Sequence, residues 1–139
     1  MGLHTVERIE DVPEPTPDAA FVVVDVITAS TTIVALLDQG ARYVRPFAGA
    51  DAAREFGATH EEALLVGEKQ GAPLSGFDFL PLPTQFQQVE LQDRPVGICT
   101  TNGTRAVDRL GEASGLLVGS TTNAAAVAGL LAEYGGDRY

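Results

Sequence analysis

The feature that most constrains the fold is a repeated alternation of short β-branched runs with helical segments, several of them ended by glycine. Residues 21–26 (FVVVDV) form an apolar run typical of strands buried on both faces, and residues 30–39 follow as a helix ended by Gly40. Further strands are predicted at residues 43–47, 63–66, 96–100 and 116–119, and further helices at 51–56, 103–110 and 123–134. This alternation predicts one α/β domain over residues 1–139, layered α/β/α around a mixed, largely parallel sheet.

Two stretches lack this periodicity. Residues 5–10 alternate weakly, which predicts an edge strand, and the proline-rich segment after them fits neither a helix nor a central strand. Residues 67–83 combine glycine, proline and charged residues, which predicts a long loop. Such a loop is either functional or a mobile connector.

The charge balance excludes two classes of partner. Nineteen acidic against nine basic residues give a net charge of −10, which opposes binding to nucleic acid and to anionic membranes. The acidic shell suits concentrated salt, or it simply resists aggregation. Cys99 is the only cysteine and the N-terminal residues do not resemble a signal peptide, so we expect a cytoplasmic protein. These exclusions leave two kinds of partner, a small-molecule phosphoester substrate and further copies of the same chain in a homo-oligomer.

Hydroxyl and amide side chains crowd three turns between strand and helix: DVITASTT at 25–32, CTTNGTR at 99–105 and GSTTN at 119–123. In a parallel sheet such turns gather at one edge, where helix N-termini and polar side chains can bind phosphate. The same residue types are also the preferred helix caps. The residues predicted to bind phosphate are Ser30, Thr31, Thr101, Asn102, Gly103, Thr104 and Asn123.

Asp25 stands at the end of a strand, where sheet packing alone would favour an apolar residue. Together with Glu68 and Asp78 it is predicted to hold Mg²⁺ through one or two carboxylates and water. Arg105, in the first turn of its helix, is predicted to grip the phosphate with two parallel hydrogen bonds. We therefore assign Asp25 and Arg105 as catalytic residues, with Asp25, Glu68 and Asp78 as metal ligands.

Cys99 supports a rival mechanism, because Cys99 to Arg105 fits the pattern C-x5-R, in which a thiolate attacks phosphorus and an arginine binds the oxygens. Asp78 would then serve as general acid. Alternatively, Cys99 is a packing residue beside a strand, which is the interpretation that we favour. His4 and His60 lack ligand spacing and are assigned surface roles.

Four segments, in this order, resemble the 2-phosphosulfolactate phosphatase family of coenzyme M biosynthesis: DVITASTTIVALLDQGA, LLVGEKQGAPLSGFDF, TTNGTRAV and GSTTNAAAVA. The block TTNGTRA at 100–106 is the most specific, and the resemblance covers most of the chain. Family members are longer, so the chain resembles their N-terminal portion. The matching positions include Asp25, Glu68 and Asp78, whereas Thr28 and residues 80–82 depart from the family pattern at positions that bear on substrate recognition.

The resemblance implies a Mg²⁺-dependent phosphatase that converts 2-phosphosulfolactate to sulfolactate and phosphate. Asp25 would hold the metal or attack phosphorus, and the loop at residues 101–105 would position the phosphoryl oxygens. A second hypothesis, from a different class, is a divergent or truncated domain that binds an anion without turnover. Phosphate binding without hydrolysis would distinguish it.

Overall fold

We analysed a computed structural model, which describes residues 4–135. Six strands and four α-helices follow one another, together with 3-10 turns at Ile9–Asp11 and Pro83–Gln85. The strands are β1 (Ala20–Val24), β2 (Tyr43–Pro46), β3 (Leu64–Lys69), β4 (Ala72–Pro73), β5 (Pro95–Cys99) and β6 (Gly115–Gly119). The helices are α1 (Ala29–Asp38), α2 (Ala50–Thr59), α3 (Gly103–Arg109) and α4 (Ala124–Gly135).

The strands form two sheets that are mostly parallel. One contains β2, β5, β3 and β4 in that order, with β4 antiparallel to β3 and the other neighbours parallel. The other pairs β1 with β6 in parallel, so that Val22 lies opposite Leu117. Helix α3 contacts β1 of one sheet and β2 of the other. The architecture confirms the predicted α/β class and its mixed, largely parallel pairing.

Strand β5 is buried along its whole length, as expected for a strand paired on both sides. Its residues Val96 and Ile98 pack with Val66 and with Leu36 of α1 in the main core, which Phe86 completes. A smaller core under α2 contains Phe47, Ala53, Phe56, Leu65 and Cys99. These two clusters hold the carboxyl ends of β3 and β5 in fixed positions beside each other.

Two of the predicted strands are wrong in part. Residues 5–10 contain no strand, and most of that segment is exposed, because its weak alternation gives it no apolar face to bury. Strand β1 stops at Val24 and is not buried on both faces, since β6 is its only strand partner in the described part of the chain. The Val24 side chain is 62% exposed.

The predicted long loop also begins later than expected. Residues 67–69 continue β3, and a tight turn with positive φ at Gln70 and Gly71 leads into β4. The chain then returns beside β3, where Phe79 forms a parallel bridge with Val66. The last helix starts near its predicted position and includes Gly135, whereas Gly136 lies outside the described residues.

Candidate functional site

The carboxyl ends of the parallel strands bring three of the predicted site residues to one edge of the fold. Asp25 follows β1, Glu68 lies near the end of β3, and Thr101 follows β5. The backbone N–H of Gly103 donates a hydrogen bond to Asp25 Oδ2 at 3.0 Å, which joins the turn after β1 to the loop after β5. This contact connects the two sheets at the predicted site.

Asp25 is half-buried and held from its own turn. Its backbone N–H donates to Ser30 Oγ at 2.8 Å, and its carbonyl oxygen accepts from the Ser30 N–H at 2.8 Å. These bonds fix the backbone of Asp25 while its carboxylate reaches Gly103. Within residues 4–135, no hydrogen-bond donor reaches the second carboxylate oxygen, Oδ1. Asp25 can therefore still bind a metal or a ligand.

The approach of the two loops depends on the absence of a side chain at Gly103. A Cβ placed there would lie 2.5 Å from the Cβ of Ala29 and 2.6 Å from Asp25 Oδ2. Both distances are shorter than van der Waals contact, so a side chain would push the β5–α3 loop away from Asp25. The characteristic glycine of the TTNGTR block thus has a steric role.

Glu68 has a different environment from Asp25. Its Oε1 accepts hydrogen bonds from the Thr101 N–H at 2.7 Å and the Thr101 hydroxyl at 2.9 Å, and its Oε2 accepts from the Gly71 N–H at 2.7 Å. The Gln70 N–H donates to Thr101 Oγ1 at 2.9 Å. Glu68 therefore clamps the β3–β4 turn to the loop that follows β5.

These hydrogen bonds also determine the charge of Glu68. Partial burial alone would raise the pKa of this carboxyl group, but the hydrogen bonds from Gly71 and Thr101 outweigh burial and lower it. Glu68 is thus ionised at neutral pH, with both oxygens already bonded to protein donors. Its geometry is that of a structural clamp.

Most of the predicted phosphate-binding side chains bond to the protein itself. Ser30 Oγ donates to the Val23 carbonyl, and Thr31 Oγ1 donates to the Val26 carbonyl. Thr104 is buried and exchanges hydrogen bonds with Thr100. Asn123 bonds to its own turn, through Oδ1 to Ser120 N–H and through Nδ2 to the Val118 carbonyl. For these four residues the contacts are those of turn-building residues.

Asn102 and Arg105 differ from these residues. Asn102 precedes the first residue of α3, is exposed, and makes no capping hydrogen bond with its side chain. Arg105 is exposed, and no carboxylate in the described part of the chain lies within 4.0 Å of its guanidinium, Asp108 included. Both side chains can therefore bind a ligand without breaking an existing bond.

Arg105 nevertheless faces away from Asp25. Two residues along a helix rotate a side chain by about 200°, so Arg105 projects from the side of α3 opposite to Gly103. It lines a surface cleft of about 250 Å³ together with Ala48, Glu10 and Arg109. The structure does not place the two predicted catalytic residues in one cleft.

Asp78 lies away from the strand ends. Its Oδ2 accepts a hydrogen bond from the Leu65 N–H at 2.7 Å, and its own N–H donates to the Leu65 carbonyl at 2.8 Å. Leu65 precedes Glu68 by three residues, or about 10 Å along a strand. Asp78 bonds to the edge of β3 at Leu65, beyond the residues that pair with β4, and it is therefore away from the predicted metal and general-acid positions.

The three predicted metal ligands are consequently not together. Among residues 4–135, no group of three or more His, Cys, Asp or Glu side chains is arranged to hold a metal ion. Mg²⁺ needs only one or two protein carboxylates when substrate phosphate and water supply the remaining ligands. Asp25 fits such a site through its Oδ1, whereas Glu68 and Asp78 do not fit.

Cys99 is buried within the smaller core and is only 6% exposed. Burial raises the pKa of its thiol, and the negative charge of Glu68 raises it further, while Arg54 lowers it. A raised pKa keeps the thiol protonated at neutral pH, which is unfavourable for nucleophilic attack. The structure therefore favours the packing interpretation of Cys99.

We expect Cys99→Ala to keep phosphate release within about twofold of the parent protein, because a protonated, buried thiol takes no part in the reaction. The small cavity should cost about 1 kcal/mol of unfolding free energy. Phosphate-release kinetics and urea denaturation measure the two effects. A large loss of activity in a stably folded variant would instead restore the thiolate mechanism.

The β3–β4 turn has a role that the sequence did not predict. Gln70 and Gly71 both have positive φ, and the N–H groups of both residues bond within the Glu68–Thr101 clamp. Gly71 was the available signal, since left-handed backbone at a two-residue turn favours glycine. The surrounding glycines and prolines obscured it.

Comparison with known proteins identifies the class of protein to which this fold and its candidate site belong. The family model of 2-phosphosulpholactate phosphatase matches residues 3–137. The chain belongs to the 2-phosphosulfolactate phosphatase family, which confirms the resemblance seen in the sequence.

Individual relatives agree with this assignment. A probable 2-phosphosulfolactate phosphatase of Synechococcus sp. (strain CC9605) is 41% identical over 116 residues, which is 81% of this chain and 46% of the relative. A relative with the same description from Gloeobacter violaceus is 37% identical, and the match covers 92% of this chain and 55% of the relative. Another from Clostridium acetobutylicum is 31% identical, and the match covers 99% of this chain and 59% of the relative. The chain spans about half the length of the curated relatives it matches. Within residues 4–135, no helix is long and apolar enough to cross a membrane.

Proposed function

We propose that this chain takes part in the Mg²⁺-dependent hydrolysis of 2-phosphosulfolactate to sulfolactate and phosphate. The family match over residues 3–137 carries the proposal, because it includes every segment that forms the strand edge at Asp25. The substrate is a small acidic phosphoester. A cytoplasmic role in coenzyme M biosynthesis, in a protein adapted to salt, is part of the same proposal.

Asp25 is the protein group best suited to the reacting centre. Its backbone is fixed by Ser30, its Oδ2 is held by Gly103, and its Oδ1 is available. Mg²⁺, when bound, would neutralise charge on the phosphoryl oxygens. Asp25 would hold this ion while water attacks phosphorus, or Asp25 would attack phosphorus itself and be released when water breaks the bond between Asp25 and phosphorus. In either case the bond between phosphorus and the substrate oxygen breaks, and water supplies both the new oxygen of phosphate and the proton taken up by the substrate oxygen.

The Glu68 clamp contributes by holding the loop that carries Asn102 and Gly103. Because Thr101 is bonded to Glu68 through both its N–H and its hydroxyl, the residues after it start from a fixed point. Positioning of this kind lowers the entropy that a substrate must lose on the way to the transition state. Asn102 directly precedes Gly103, whose N–H bonds to Asp25, so its exposed side-chain amide lies in the loop that the clamp holds.

The proposal is tested by measuring phosphate release from 2-phosphosulfolactate with Mg²⁺ and with excess chelator. We expect release that requires Mg²⁺ and stops on chelation. Release that survives chelation would remove the metal from the proposal. Neither binding nor release of this substrate would contradict the proposal as a whole.

The second hypothesis, an anion-binding domain without turnover, is favoured by one observation. The three predicted metal ligands do not form a cluster among residues 4–135, because Glu68 bonds to the Gly71 N–H and Asp78 bonds to the Leu65 N–H. Calorimetry with inorganic phosphate and 2-phosphosulfolactate separates the two proposals. Saturable binding of both compounds without phosphate release would support the second one.

We expect Arg105→Lys to change kcat/KM by less than about twofold, since Arg105 projects from the side of α3 opposite to Gly103 and does not face a phosphoryl group held at Asp25. The exposed position should leave the melting temperature unchanged. Arg109→Lys is the matched control, because Arg109 lines the same cleft but bonds to the Val12 carbonyl. A loss of roughly ten- to a hundredfold for Arg105→Lys alone would contradict this expectation and would put the phosphoryl group in the Arg105 cleft, because an ammonium loses the two parallel hydrogen bonds of a guanidinium.

A further inference from the structure

Helix α4 has an unusual surface for an outer helix. From Ala124 to Glu133 it contains one charged residue, Glu133, and the other nine residues are alanine, glycine, valine or leucine. Only Val127 and Leu131 in this span are half-buried, and they lie four residues apart on one face. A helix that is apolar on all sides is normally buried on all sides.

The exposed side of α4 consists of small residues around one larger one. Ala124, Ala125, Ala126 and Ala128 are exposed, and the Leu130 side chain is 44% exposed. Helix α2 offers a contrast, because Asp51, Glu55 and Arg54 mark its outer side. Small side chains let another element approach a helix closely.

The sheet next to α4 is also incomplete. Helix α4 packs on β6, and β6 pairs with β1 alone among the described strands. Its central residues Leu116, Leu117 and Val118 are only half-buried. A parallel strand with a free edge and half-exposed apolar side chains is rare, because parallel sheets are normally covered and extended by further strands.

Apolar exposure continues at the carboxyl end of β1. Val24 is 62% exposed and Ile27 in the following turn is 87% exposed. The chain as a whole has a net charge of −10, with acidic residues spread along it. The scarcity of charged residues on α4 and β6 therefore contrasts with the rest of the chain. Together, α4, β6 and the β1–α1 turn form one apolar region that no other element among residues 4–135 covers.

We propose that this region, the α4 face, binds the part of the family polypeptide that lies outside the matched segment. The curated relatives are about twice as long as the matched region, so they contain an element of the right size to cover it. The occupant would lay an apolar surface on α4 and add a strand to the edge of β6. This proposal rests on the family match and is independent of phosphate release.

A second copy of this chain is the competing occupant. A symmetric pair would also bury α4 and extend the sheet. The greater length of the relatives favours the first occupant, because it supplies polypeptide for this surface without bringing together two chains of charge −10.

The test is to co-express the 139-residue chain with the part of the Synechococcus relative outside its matched 116 residues. We expect a 1:1 complex by light scattering, and slower hydrogen exchange across α4 than in the chain alone. Ala126→Glu or Leu130→Glu should weaken the complex roughly tenfold or more, because a charge would be buried in an apolar interface. Ala52→Glu is the matched control, since Ala52 is an exposed alanine of α2.

Three outcomes would overturn the proposal. The chain recovered alone as a monomer would show that the α4 face has no such occupant, and recovery as a homodimer would assign the face to a second copy. A 1:1 complex that tolerates both α4 variants would place the contact elsewhere. Phosphate release is measured separately, so failure of this proposal is distinguishable from failure of the proposed function.

Discussion

Asp25→Asn should reduce phosphate release from 2-phosphosulfolactate by at least about a hundredfold, because it removes the carboxylate that we propose holds the metal or attacks phosphorus. The amide oxygen can still accept the hydrogen bond from the Gly103 N–H, and the backbone bonds to Ser30 do not involve the side chain. The substitution therefore removes the negative charge of Asp25 while keeping the shape of its side chain. We expect the melting temperature to change little.

Steady-state kinetics on the purified variant measure this effect. Asp38→Asn serves as the control, since Asp38 is an exposed acid at the end of α1. If Asp25→Asn retained most of the activity, the reacting centre would have to lie elsewhere, and the Arg105 cleft would be the next region to test.

Glu68→Gln should be the most destabilising of these substitutions, at about 2–3 kcal/mol near neutral pH, because charge-assisted hydrogen bonds are lost from a half-buried group. A glutamine side chain turns an NH₂ group towards one of its present donors, the Gly71 N–H or the Thr101 N–H. The β3–β4 turn should then separate from the loop after β5. Hydrogen exchange at these two amides reports this separation, and urea denaturation gives the free energy.

The same substitution has a characteristic pH dependence. The folded-state pKa of Glu68 is lowered from its ordinary value of 4.5, so its stabilisation is fully present above that value and is lost as pH falls through the folded pKa. The difference in unfolding free energy between the parent and Glu68→Gln should therefore shrink in acid. Glu61→Gln, at an exposed position, is the control substitution. A difference that is constant with pH would contradict the clamp.

The sequence predicted the order of strands and helices because that order depends on local periodicity. β-branched runs and glycine stops mark β1, β5 and α1 whatever surrounds them. Burial of β1 on both faces depends on neighbouring strands, which local sequence does not specify, and this prediction was wrong. The β3–β4 turn was missed because it lies within a stretch whose composition is that of a loop.

The candidate site was predictable to a similar degree. Asp25 and Thr101 come to one edge because they follow parallel strands, which the topology requires. The roles of Glu68 and Asp78 depend on which backbone N–H groups their oxygens meet. Those partners, Thr101 for Glu68 and Leu65 for Asp78, are 33 and 13 residues away along the chain, beyond the reach of a spacing argument.

The contact between Asp25 and Gly103 joins residues 78 positions apart, and it connects the two sheets at one hydrogen bond. A ligand held at Asp25 would therefore resist separation of the sheets as well as occupy a site. A ligand that binds the folded arrangement of these loops and not the unfolded chain stabilises that arrangement by mass action. Binding at Asp25 would therefore add to the packing between the two sheets, which helices α1 and α3 already bridge, and would raise the melting temperature of the chain.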